Sequence, residues 1–182
     1  MKLIVGVALL LMIVQMASAA DSQEKMYYIG EARLSAAHGE PRGSQVILLE
    51  KTHDPEKSLI IERAIVVKAD GVDDYTMNMK VSGDEFAIKD LANTIDGKGT
   101  LFGLAWHWTY FKAVYQSTAG VRIEDENYMT DPEVLVARKK ILAGNGQVLM
   151  YMDITLKAIT PETFKVLSGA LLKDKNTRTS TR

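Results

Sequence analysis

The sequence predicts an all-β, mainly antiparallel fold: an up-and-down β-barrel of about nine or ten strands with one C-terminal α-helix. Three observations carry this. Short runs rich in β-branched and aromatic residues follow one another, punctuated by Gly, Pro, Asn and Asp. The connections are of hairpin length, with no crossover helices between the runs, so neighbouring strands pair antiparallel. The period then changes once, after Thr160, to helical spacing.

The amino terminus precedes the barrel pattern. Met1 and Lys2 lead into an apolar run from Leu3 to Val14, and Ala17-Ser18-Ala19 fits the small-x-small rule of a signal-peptide cleavage site. Residues 1–20 are therefore expected to be a signal peptide, cut after Ala19 or, alternatively, after Ala20. The run is short for a membrane span and has no basic stop-transfer flank, so no stable span is expected after cleavage. The expected location is periplasmic or extracellular.

Residues 21–172 form the expected β domain. The first run is Met26 to Leu34, and His38 to Gly43 reads as a loop because Pro41 and two glycines disfavour regular pairing. Gln45 to Lys51 and Leu59 to Val67 follow across a His53-Asp54-Pro55-Glu56 turn. From Tyr75 to Val81 the alternation is nearly strict: Tyr75, Met77, Met79 and Val81 on one side, Thr76, Asn78 and Lys80 on the other. That is a strand with one dry face. Glu85 to Lys89 and Ile95 to Lys98 are short, and Thr100 to Tyr115 reads as one long extended stretch bent near Gly103 or Ala105. Val121 to Met129, Val134 to Leu142 and Val148 to Lys157 complete the series, the last two joined by Gly144-Asn145-Gly146, a strong hairpin signal. Thr160-Pro161-Glu162 opens the helix as N-cap, first helical position and dipole-facing acid. Phe164, Leu167 and Leu171 form its apolar stripe, which would pack on a barrel wall or cover one end. Residues 173–182 are expected to be a polar tail.

Composition excludes several classes. The 22 basic and 23 acidic residues give a net charge of -1, too balanced for a general nucleic-acid binder. With no cysteine there is no disulfide, thiolate zinc site or thiol nucleophile. The fingerprints of serine hydrolases, zincins, P-loop proteins and dinucleotide enzymes are missing. No catalytic residue, metal or cofactor is assigned. His38 and His53 read as solvated loop residues.

The most unusual segment is Trp106-His107-Trp108-Thr109-Tyr110. In an extended strand Phe102, Leu104, Trp106, Trp108 and Tyr110 share one face, with His107 opposite. Such a row can line a cavity and stack on an apolar guest, or simply fill a core, which is the commoner use. Met77 and Met79, like Met150 and Met152, point in pairs to one face and suit either role. The candidate ligand-binding residues are Trp106, Trp108, Tyr110, Met77, Met79 and His107. On Glu124-Asp125-Glu126 and Arg138-Lys139-Lys140, cross-strand pairing is expected to join Glu124 with Arg138 and Glu126 with Lys140. Asp125, Asn127 and Lys139 would then share a face with Val121, Ile123 and Ile141. If that face is interior, they are the polar anchors of a pocket.

The succession of strands with a C-terminal helix resembles the lipocalin-like (calycin) superfamily. The Gly-x-Trp signature near the amino terminus is absent, and Tyr28-Ile29-Gly30 does not supply it. Gly99 to Trp108 is similar to a stretch of uncharacterised secreted bacterial proteins of this shape. The resemblance implies a barrel architecture and no particular activity, and leaves open whether the interior is hollow or filled. The reading that follows is an exported, non-catalytic binding protein for an apolar or amphipathic small molecule. Two others compete: an envelope interaction module with a filled core, and a barrel enzyme using His107 as acid-base.

Overall fold

A computed structural model describes residues 23–103, 108–131 and 133–179. Ten strands run in sequence order: β1 (Glu24–Ala36), β2 (Pro41–Asp54), β3 (Leu59–Lys68), β4 (Gly71–Ser82), β5 (Glu85–Asp90), β6 (Ile95–Gly103), β7 (Trp108–Ser117), β8 (Arg122–Asp131), β9 (Val134–Leu142) and β10 (Val148–Ala158). Each pairs antiparallel with the next, and β1 pairs with β10 to close the barrel. Closure removes the unpaired strand edges that an open sheet would present. This is the fold class the alternation predicts.

Two boundaries differ from expectation. β2 begins at Pro41, so Pro41 and Gly43 lie inside the β1–β2 pairing, and of that segment His38, Gly39 and Glu40 stay in the turn. A register shift at Leu34/Ser35 accommodates them: Leu34 faces Gly43 and Ser35 faces Pro41, so Arg42 is the extra residue of a bulge in β2 itself. His53 belongs to β2, paired with Glu24. The stretch from Thr100 to Tyr115 is two strands: β6 ends at Gly103, and β7 returns antiparallel from Trp108.

The C-terminal helix, α1 (Pro161–Thr179), starts as its sequence dictates, with Thr160 Oγ accepting a hydrogen bond from the Thr163 amide at 3.2 Å. It continues well past Leu172, into the stretch expected to be a tail. The helix lies on the outer wall. Phe164 packs with Leu48 and Ile65, which point outward from β2 and β3, and its ring sits 5.0 Å from that of Tyr27. Among the described residues no helix is long and apolar enough to cross a membrane.

Inside, the barrel is divided along its axis. The half nearest the β2–β3 and β4–β5 connections is packed by Ile60, Met79, Val81, Phe86, Leu101 and Phe111, with Phe86 and Phe111 edge-to-face at 5.4 Å. Phe164→Ala should leave this interior intact while opening the helix–wall contact. The expected cost is about 3 kcal/mol in urea unfolding; a loss below about 1 kcal/mol would show that the helix is only loosely attached.

Candidate functional site

The other half of the barrel is hollow. A cavity of about 240 Å³ is walled by Ile47, Val66, Met77, Ile95, Ile123, Ile141 and their neighbours, in the halves of the strands nearest the β3–β4, β5–β6, β7–β8 and β9–β10 connections. Tyr75 and Gln45 stand at its rim, the first partly exposed and the second half-buried. A glycine makes room for one wall residue. Gly97 of β6 faces Tyr115 of β7, and a Cβ there would overlap the Cβ of Tyr115. The missing side chain lets the tyrosine ring lie across the interior.

Polar groups cluster deeper along the strands than Val66, Ile123 and Ile141. Asp125 of β8 is 3% exposed, and its carboxylate accepts three hydrogen bonds: from Lys139 Nζ at 2.7 Å, from Asn127 Nδ2 at 2.8 Å and from the Tyr115 hydroxyl at 3.3 Å. Lys139 Nζ also donates to the Tyr115 oxygen at 3.1 Å. Charges so far from water persist only with such partners. Burial pulls the Lys139 pKa down, but the Asp125 carboxylate and the neighbouring tyrosines outweigh it and hold it well above the ordinary lysine value. Burial pushes the Tyr115 hydroxyl well above the usual phenol range.

A second pair lies alongside. Lys51 of β2 is directly opposite Glu62 of β3, with Nζ and carboxylate 3.9 Å apart; Lys51 is fully buried and Glu62 reaches the cavity wall. Burial lowers the Lys51 pKa to about 8 despite the nearby carboxylate, and burial raises that of Glu62 against the pull of Lys51 and Lys139. The two pairs therefore differ in kind. One is tightly hydrogen-bonded, with its lysine held charged; the other is more widely spaced, and burial draws both of its members toward their neutral forms.

The expected anchors Asp125, Asn127 and Lys139 do come together inside the barrel. On the opposite face antiparallel register reverses the expected ion pairs: Glu124 is opposite Lys140, at 3.4 Å, and Glu126 is opposite Arg138. Arg138 itself pairs with Asp153 at 2.7 Å and Glu126 with Lys112 at 3.3 Å, all on the outer surface. Met77 lines the cavity, whereas Met79 lies in the packed half. Tyr110 faces the other way from expectation. Its ring stacks between Phe102, at 5.7 Å, and Tyr128, at 4.9 Å, in a cross-strand row on the outer wall where Phe102 is 58% exposed. Leu101 and Phe111 take the interior positions instead. Lys98 and Lys112, which share strand faces with Phe102 and Tyr110, keep that side in water. Trp106 and His107 lie outside the described residues, as does the side chain of Trp108, whose backbone opens β7 opposite Gly103. Lys51 and Glu62 were not foreseen. Among the described residues no three His, Asp or Glu side chains gather as a metal site.

No family model matches the sequence, and no curated protein does. Solved structures do. A protein of unknown function from the DUF3598 family of Nostoc punctiforme superposes with a TM-score of 0.55 at 7% identity, over 73% of this chain and 46% of that one. The chain thus spans less than half the length of that protein. An S-type phycobiliprotein lyase from Guillardia theta superposes with a TM-score of 0.52 at 10% identity, over 74% of this chain and 87% of the other. At these identities the likenesses show the fold alone, an antiparallel β-barrel of similar build.

The charge cluster makes a sharp stability prediction. Asp125→Ala strands the Lys139 ammonium and should cost about 3 kcal/mol or more in urea unfolding. The double change Asp125→Leu with Lys139→Met removes both charges and should recover most of that loss. A double variant as unstable as the single one would contradict mutual neutralisation.

Proposed function

We propose that the protein is a non-catalytic carrier that holds one apolar or amphipathic small molecule inside the barrel. The observation that carries this reading is the half-hollow interior: an apolar, rim-accessible cavity of about 240 Å³ with convergent polar groups at its base. Pockets for small ligands have this composition, mostly apolar walls with a few placed polar groups that fix orientation. Met77 and Met152 give the wall adaptable surface. The phycobiliprotein lyase of similar fold is in keeping with a barrel that handles a small molecule, though at 10% identity it supports the architecture only. The apolar run Leu3 to Val14 followed by Ala17-Ser18-Ala19 supports export, with the mature chain beginning at Ala20.

The reading is tested with an environment-sensitive naphthylamine dye and its displacement by medium-chain amphipaths. Binding at one site per chain is expected. Ala137→Phe, which drives a ring into the cavity from β9, should weaken it by at least about tenfold while the β-sheet circular dichroism is kept. Equal dye binding by wild type and Ala137→Phe would place the dye elsewhere and remove the proposal. Retention inside a bacterial host with an uncleaved mass would remove the export part alone.

A further inference from the structure

We infer that the guest is a single-chain amphipath with a carboxylate head, that it enters head first, and that its arrival places one proton on Glu62. The inference rests on the carrier reading and names the chemical class of the guest.

Orientation follows from the layout of the cavity. Its outer walls are Val66, Ile95, Ile123 and Ile141, whereas Glu62, Asn127 and Lys139 reach it from deeper in the barrel. An amphipath seated tail first would bury its head among aliphatic side chains and press its tail against charges. Head-first entry matches each end with its surroundings. The head also finds spare hydrogen-bonding capacity. Lys139 Nζ carries three N–H groups and gives two of them to Asp125 and Tyr115. Asn127 gives one of its two amide N–H groups to Asp125. The remaining donors suit an anionic oxygen, and about three of the four acceptor sites of Asp125 are already taken by other bonds.

The proton follows from counting charge. Two ammonium groups, Lys51 and Lys139, face two carboxyl groups, Glu62 and Asp125, so the empty floor is neutral when all four are ionised. A carboxylate head adds a negative charge beside these largely buried groups. Neutrality is restored when one carboxylate accepts a proton from solvent, with no other bond made or broken. Asp125 already accepts three hydrogen bonds, one of them from an ammonium 2.7 Å away. Glu62 is the looser partner: its nearest cation is 3.9 Å away, and burial already favours its neutral form. The groups acting on it are Lys51 from β2, Tyr28 from β1, Tyr75 from β4, Asp125 from β8 and Lys139 from β9. Once protonated, Glu62 becomes a donor and can hydrogen-bond the head that displaced its charge.

The test uses dodecanoate, dodecanol and dodecylamine with the purified protein. Calorimetric titration in two buffers of different ionisation enthalpy should show dodecanoate binding with uptake of about one proton, and its affinity falling by about tenfold per pH unit across the range in which that proton is taken up. Dodecanol should bind without uptake and dodecylamine weakly. With carboxyl-labelled heavy-carbon dodecanoate, infrared difference spectra should show a new protonated-carboxyl band at the unlabelled frequency, absent in Glu62→Gln. Binding without uptake, a protonated band at the labelled frequency, a band that survives in Glu62→Gln, or preference for the amine would overturn the inference while leaving the carrier reading standing. Failure of all three compounds to bind would count against both.

Discussion

Four ionisable side chains in the middle of a β-barrel are the constraint around which the rest is arranged. An unpaired charge in such a place would cost several kcal/mol, comparable with a large part of the net stability of a domain this size. The barrel meets that cost by register. Antiparallel pairing puts Lys51 opposite Glu62 and Lys139 opposite Asp125, so each cation has an anion on the neighbouring strand. A slip of one residue in either hairpin would turn the charged side chains to the outside and the exterior residues inward. The same pairs mark a boundary in the barrel, with aromatic packing toward one end and open aliphatic wall toward the other.

The inequality between the pairs gives the site its chemical character. Asp125, with three donors, and Lys139, bridging to Tyr115, form a fixed scaffold. Lys51 and Glu62 are farther apart, and burial draws both toward their neutral forms. A fixed pair can orient a guest. A soft pair can adjust its protonation to what the guest brings, which is a way of receiving a charged head in a largely buried site without a permanently unbalanced charge.

Most of the fold was legible because alternation and turn chemistry agree along the chain: Tyr75 to Val81, the Gly144-Asn145-Gly146 hairpin and the Thr160 cap each do what local physics requires. Asp125, Asn127 and Lys139 were legible as well, since they interrupt apolar faces of β8 and β9. The aromatic segment misled for a definite reason. Read as one strand, residues 100–115 point Phe102 and Tyr110 into the core, yet Lys98 and Lys112 on those same faces put them outside, leaving Leu101, Phe111 and Tyr115 to fill the interior. Large rings carry weight in such a reading, but the phase of a strand is set by the whole face. Lys51 and Glu62 left a comparable trace, one charge on each of two otherwise apolar faces, Ile47-Leu49-Lys51 and Ile60-Glu62-Ala64. Their meaning depends on meeting across a hairpin whose register the intervening turn alone does not specify.

Nitrogen-edited NMR of the lysine ammonium groups, followed through a pH titration of the ligand-free protein, tests the buried double pair most directly. Two resonances protected from solvent exchange are expected: Lys51 losing its proton near pH 8, and Lys139 staying charged beyond the range where surface lysines titrate. If both were to exchange freely and titrate together with the surface lysines, the polar floor of the barrel, and the account built upon it, would be contradicted.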